Sequence, residues 1–258
     1  MPPSNLDGFV TSNNPPPTSL ATSTAIHDRD STFIGTIYRA SSPAEAQRIR
    51  TYHKHVFNHS KPASHEISAW RCMVLKKGKD GLGGPDDFEL TSRKDDDGED
   101  RGGQSILRAM EKEGVIDVVV IVSRWFGGTL LGPVRFTHIE TCTREVCQTF
   151  KAIEEVEAAI EELKELDDQL AQLRAELATL SPSAPSNNQN SADGIEPPGN
   201  SSTSVRKEAP DYRAMLLPPV PDVVRAKRLV NARQNAIRSV KGVLARTKEG
   251  SANCTETF

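Results

Sequence analysis

The sequence predicts an α+β domain over residues 31–150, followed by a long helix and a basic C-terminal helix. Three observations carry this expectation. Strand-length runs of β-branched residues alternate with segments of helical period between Thr32 and Phe150. From Pro133 onward neither proline nor glycine recurs until Pro182, while apolar residues step by three and four. Hydrophobic content of 36% and aromatic content of 5% are low for 258 residues, so one core of about 100–150 residues is expected.

Residues 1–30 are rich in Pro, Ser, Thr and Asn, including Pro15-Pro16-Pro17, and read as a disordered tail with too little apolar surface to offset ordering entropy. Order is expected near Thr32, where "TFIGTIYRA" has the β-branched and aromatic residues of a strand. Ser42-Pro43-Ala44-Glu45 is a capping box with proline at the first helical position, and Ala46, Ile49, His53 and Val56 continue at helical spacing. "ISAWRCMVL" (67–75) reads as a second strand, and a Gly/Asp-rich loop follows from Lys76 toward Asp87. Asp100 is suited to cap a helix that buries Ile106, Leu107 and Met110 and stops at Gly114. A strand over 116–123 then runs into a glycine turn. Gly132-Pro133 opens a helix with Phe136, Ile139, Cys142 and Val146 on its inner face.

That helix is expected to continue as an acidic coiled coil over 151–180. Ile139, Cys142, Val146, Thr149, Ile153, Val156, Ile160 and Leu163 keep a heptad step, and an extra step of three reaches Leu166 before Leu170, Leu173, Leu177 and Leu180 resume it. Residues 181–210 read as a flexible linker, 211–248 as a basic helical segment and 249–258 as a disordered tail. Residues 153–180 carry nine acidic side chains against two basic ones, whereas 205–248 carry eleven basic against three acidic. The basic segment has its own seam: Val223, Ala226, Val230, Arg233, Ile237, Val240 and Leu244, with Arg233 its only polar member. Two seams of opposite charge predict an antiparallel helical hairpin within one chain rather than a homodimer, whose acidic faces would repel.

No basic and apolar leader opens the chain, the aliphatic run from Val115 to Val122 is too short to span a bilayer, and Cys72, Cys142, Cys147 and Cys254 form no metal or disulfide framework. A cytoplasmic protein without membrane contact is the expectation.

The residues that packing explains least are "VSRWFGGTLLGPVRFTHIE", where an arginine and two aromatics stand against a glycine pair. With Asp96, Asp97, Gly98, Glu99 and Gly103 upstream, this stretch resembles the Impact family through Arg124, Trp125, Phe126, Gly127, Gly128, Leu131, Gly132, Pro133, Arg135, Phe136, His138 and Ile139. The resemblance covers roughly residues 31–150. It implies a two-layer sheet of the ribosomal-protein-S5 domain-2 type with helices on one face, and a cytosolic role in translational control. Eukaryotic members restrain the amino-acid-starvation kinase by occupying its ribosome-associated activator. The RWD domain those members usually carry is not among the thirty or so residues preceding this one.

On this reading Asp97, Glu99, Arg124, Trp125, Phe126, Gly127, Gly128, Arg135 and His138 are the expected partner-binding residues. Bland readings stand beside each. The run Asp95–Asp100 fits a helix N-terminus as well as a partner or Mg²⁺ contact, and an EF-hand is excluded because Arg93 and Gln104 would occupy its first and twelfth positions. Asp97 and Glu99 are placed to pair with Arg124. Gly127-Gly128 suits a tight exit from a strand or an anion nest, but not a P-loop. Trp125 suits a half-buried core position or an exposed stacking surface. His55 and His59 lack a third metal ligand. No nucleophile, base and orienting group can be assembled from spacing, so no catalysis, cofactor or metal is expected. A nucleic-acid- or ribosome-binding module, using the Arg/Trp cluster and the basic C-terminus, is the alternative function.

Overall fold

Val118-Val119-Val120-Ile121-Val122 cannot hide its branched side chains on one face, because successive strand residues point to opposite sides. In the computed structural model, which describes residues 15–180, 211–216 and 221–253, this run lies inside a sheet covered on both faces. The strands are β1 (Ala21–Thr22), β2 (Ile26–Asp28), β3 (Ser31–Arg39), β4 (His65–Leu75), β5 (Phe88–Asp95) and β6 (Val118–Trp125). Their order is β1-β3-β6-β4-β5 with β2 also on β3, and every pairing is antiparallel.

The α+β class is as expected, but the helices are not confined to one face. Val118, Val120 and Val122 join Phe33, Ile37 and Ile67 beneath α2 (Gly102–Glu113) and α3 (Val134–Leu180), which contribute Ile106, Met110, Ile139, Cys142, Val146 and Phe150. Val119 and Ile121 face the other way, with Tyr38, Trp70 and Cys72, and α1 (Pro43–Tyr52) closes that side with Ala46 and Ile49. The uninterrupted apolar run demands this second cover, since each exposed Val or Ile would forgo about 1.5–3 kcal/mol.

Helix starts follow the sequence in one case and depart from it in another. Ser42 Oγ accepts the Glu45 N–H at 3.2 Å, and Glu45 Oε2 accepts both the N–H and the hydroxyl of Ser41. Asp100, however, does not cap α2. The preceding residue Arg101 sits in the left-handed region, and the first helical N–H groups are taken by the Glu99 carbonyl (from Gly102, 2.9 Å) and Asp96 Oδ1 (from Gly103, 2.7 Å). The acidic loop caps its helix one turn earlier in sequence than expected. Two further departures concern strands. β1 and β2 lie within the segment expected to be disordered, with Leu20, Ala21 and Ile26 packed on the core. β5 follows the Gly/Asp-rich loop, with mostly exposed side chains that give little alternation to read.

The chain divides into two compact units, Met1–Ala152 and Ile153–Phe258. In the second, α3 from Ile153 packs with a 3-10 turn (Arg213–Leu216) and α4 (Val223–Asn253) around Val156, Ile160, Leu163, Tyr212, Met215, Ala226 and Val230. Asp222 Oδ1 accepts the Arg225 N–H to start α4. The two seams do meet within one chain, but the helices run parallel. Lys227 pairs with Glu155, Gln234 donates to Glu162 and Lys248 pairs with Glu176, so each step along one helix is matched by an equal step, in the same direction, along the other. Opposite net charge alone does not set the direction, because it favours contact between the two segments in either orientation. Arg233, the polar member of its seam, meets Asp167 at 2.5 Å, and Tyr212 donates to the same carboxylate. Asp167 stands four residues beyond Leu163, where an unbroken heptad would place a seam residue. Returning along α3 needs roughly 40 Å, which the connecting chain between Leu180 and Val223 is long enough to span. The expected linker 181–210 lies outside the described residues, as do residues 1–14 and 254–258; the first five residues of the expected tail 249–258 instead continue α4.

Candidate functional site

The ends of β3, β6 and β4 bring the motif residues together. Phe33, Arg124 and His65 lie side by side across these strands, and Ile34, Ser123 and Glu66 form the next row inward. Because neighbours alternate in direction, the two rows serve opposite faces of the sheet.

The acidic loop crosses this end and reaches toward both faces. Asp97, with φ of 42°, accepts the Glu66 N–H on Oδ2 at 2.8 Å and binds Lys54 through Oδ1 at 2.7 Å. Its carbonyl accepts from His65 Nδ1 at 2.9 Å. Glu99 turns inward and is 4% exposed. One of its oxygens bonds Arg124 Nη1, and the other lies 2.5 Å from Arg135 Nε, so a single carboxylate joins β6 to the start of α3. His65 Nε2 stands 3.8 Å away. The expected pairing with Arg124 is therefore made by Glu99 and not by Asp97, whose short side chain points to the other face. Arg124, itself 5% exposed, is flanked by the rings of Phe33 and Phe126 at 5.3 and 5.4 Å, and Arg135 lies over Phe136 at 4.6 Å.

The glycine turn is a close-packing device. A Cβ on Gly127 would lie 2.2 Å from the backbone carbon and oxygen of Asp30, so no other residue fits without moving the chain. Gly128 follows with φ of 89°. The Gly127 N–H donates to Ser31 Oγ at 3.3 Å and the Phe126 N–H to Ser64 Oγ at 3.0 Å. Trp125 is half-buried, donating from Nε1 to the Lys61 carbonyl with Lys61 Nζ 5.5 Å from its ring centroid. His138 Nε2 meets Asp28 Oδ2 at 2.8 Å, and hydrogen bonds from Arg29 and His138 hold the Asp28 carboxyl down at about 2. Phe126 is 43% exposed and Leu130 is 81% exposed, so the turn presents two large apolar side chains to solvent above a buried ionic clasp. Leu130 was not among the expected site residues.

The opposite row holds a buried polar group that spacing did not reveal. Ser123 Oγ donates to Glu66 Oε2 at 2.6 Å, Asn58 Nδ2 donates to Glu66 Oε1 at 2.6 Å, and His53 bridges Ser123 and Tyr38 through its two ring nitrogens. A π-helical turn (His53–Phe57) continues α1 and brings in His53. The available signal was a serine inside an otherwise apolar strand and a glutamate opening another. The set is not a hydrolytic triad, because the carboxylate bonds the serine rather than orienting the histidine. Among the described residues, no three His, Cys, Asp or Glu side chains gather as a metal site, and no helix is long and apolar enough to cross a membrane.

Burial drives the titratable members of this group toward neutrality, lowering His53 to about 4 and raising the Glu66 carboxyl and the Tyr38 hydroxyl. The unfolded chain binds a proton at His53 below its ordinary 6.5 while the folded chain does not. Stability from this group is thus complete above that pH and lost as pH falls to about 4, a change of about 3 kcal/mol. Glu66 works in the opposite sense, since the folded carboxyl takes up its proton first on acidification. Urea unfolding of the wild type should show a loss between pH 6.5 and 4 that His53→Gln no longer shows.

This geometry defines a small α+β domain whose sheet end is clasped by a buried carboxylate between two arginines. Residues 29–147 match the model of the Impact N-terminal domain. The IMPACT family member C14C8.09c of Schizosaccharomyces pombe is 33% identical over 138 residues, covering 52% of this chain and 40% of its own. Protein IMPACT of Xenopus laevis is 33% identical over 134 residues, covering 51% and 39%. The chain thus spans about two fifths of the length of these curated relatives. The solved structure of the two-domain translational regulator Yih1 aligns at 30% identity over 57% of this chain and 51% of that one, with a TM-score of 0.33.

Proposed function

We propose that the chain is a non-enzymatic regulator of translation that works by protein contact, in the amino-acid-starvation pathway, with a ribosome-associated kinase activator as its partner. The match of residues 29–147 to the Impact N-terminal domain supports the pathway. The observation that carries contact rather than chemistry is the glycine turn: Phe126 and Leu130 stand exposed on a loop whose base is fixed by Gly127, Ser64 and the Glu99 clasp. Rigid, exposed aromatic and aliphatic side chains on a pinned loop are the anchors of protein interfaces. Trp125 and the partly exposed Arg135 flank them, while Glu99 and Arg124 act from beneath by holding the loop's shape. The paired substitution Phe126→Ala and Leu130→Ala should abolish capture of the activator and leave the unfolding midpoint nearly unchanged. In starved cells the double variant should no longer lower phosphorylation of initiation factor two. Retained capture would refute the surface.

A second reading has its own observation. Arg225, Arg228, Arg238 and Lys241 stand exposed on α4, which carries no carboxylate before Glu249 and so attracts phosphate. Ribosome co-sedimentation with and without RNase separates the two. A protein contact survives RNase, whereas RNA binding is lost with it and falls steeply with salt.

A further inference from the structure

One edge of the sheet ends in β1, only two residues long, but the other ends in the eight-residue β5. Among the described residues no strand pairs with the outer side of β5. Exposed strands of this length commonly recruit another strand, because their outward N–H and C=O groups are otherwise left to water. Apolar exposure concentrates at the same place. Met73 and Leu75 of β4 face Leu90 and Phe88 of β5 in register, on the side of the sheet that α2 and α3 cover elsewhere. All four are exposed, and Leu82 of the preceding loop is 89% exposed.

The charge pattern of "FELTSRKD" selects the occupant. In antiparallel pairing about a two-fold axis perpendicular to the sheet, a residue must face one on its own side of the strand. An axis through Thr91 sets Glu89 opposite Arg93 of the second copy, twice, and places the two Thr91 side chains together. It also sets Phe88 opposite Lys94 and makes the Leu90 side chains diagonal neighbours. Opposite charges and threonine pairs are favourable cross-strand partners. Moving the axis to Ser92 would set Glu89 against Asp95 instead, a like-charge pair. We propose that β5 pairs antiparallel with β5 of a second copy of this chain about Thr91, joining two sheets edge to edge. The charges that would deter an arbitrary strand are complementary to the same strand reversed. This surface is separate from the Phe126–Leu130 loop and does not depend on the role assigned there.

Sedimentation of the full chain over a wide range of concentration should show a species of twice the monomer mass growing with concentration. Glu89→Arg and Arg93→Glu alter exposed side chains, and each variant should keep its unfolding midpoint while associating about tenfold more weakly or less. Mixed in equal amounts, the two variants should associate with each other, since each then supplies the charge the other lacks. A wild type that stays monomeric overturns the proposal, including by way of a segment of the same chain covering β5. So does undiminished self-association of the single variants, which would place the interface elsewhere, or failure of the mixture to associate.

Discussion

Replacing Glu99 by alanine is expected to destabilise the first unit by about 3–5 kcal/mol, because it leaves Arg124 buried without its counter-charge. The pair cannot be judged by the modest worth of surface salt bridges. Both side chains are almost fully removed from water, so the remaining guanidinium would carry its desolvation cost alone. Arg135 lies at the protein surface on one side and can turn outward, so its loss of the same carboxylate is the smaller part. Asp100, the next residue in the acidic run, has a side chain 87% exposed, and Asp100→Ala should change stability by less than about 0.5 kcal/mol. Urea denaturation of the two variants, followed by circular dichroism, measures the contrast. Equal midpoints would show that the acidic run acts as a diffuse charge and not through one buried carboxylate.

Gly127→Ala should be nearly as damaging, at about 3 kcal/mol or more, since its methyl would lie 2.2 Å from the Asp30 backbone. A flexible side chain could move aside, but the turn between β2 and β3 cannot do so without breaking the pairing of Asp28 with Ser31. Gly128→Ala meets nothing within 4 Å and suffers only the strain of positive φ, about 1–2 kcal/mol. The order of the two unfolding midpoints tests this, and so does binding. Gly127→Ala should lose partner capture even at temperatures where it remains folded, because Phe126 and Leu130 are displaced with the loop. If Gly128→Ala were the worse of the two, backbone conformation rather than close approach would be the reason for the glycine pair.

Much of the architecture was legible from local pattern. The capping box at Ser42, the stop at Gly114, the strand around Val118–Val122 and the helix after Pro133 depend on residues a few positions apart, and each forms as expected. The motif around Arg124 was also legible, but its inner and outer members were not separable. Arg124 and Phe126 are two residues apart in one motif, yet one is buried in an ion pair and the other stands in solvent. Partner identity in the acidic loop was equally hidden, since Asp97 and Glu99 differ in reach by one methylene and serve opposite faces of the sheet.

By itself the sequence determined the main helices and the strands β3, β4 and β6, the apolar side of each helix and where the recognition-type residues cluster. Those properties follow from side-chain period and backbone chemistry within a turn or two. Only the tertiary structure decided that α1 covers the second face, that β5 forms the open edge, and that α4 lies parallel to α3. Each of these is a choice between packings that bury similar apolar surface, so local period cannot separate them. The observed arrangement is marked by contacts between residues far apart in sequence, among them Glu99 with Arg124, Asp97 with Lys54, and Asp167 with Arg233 and Tyr212.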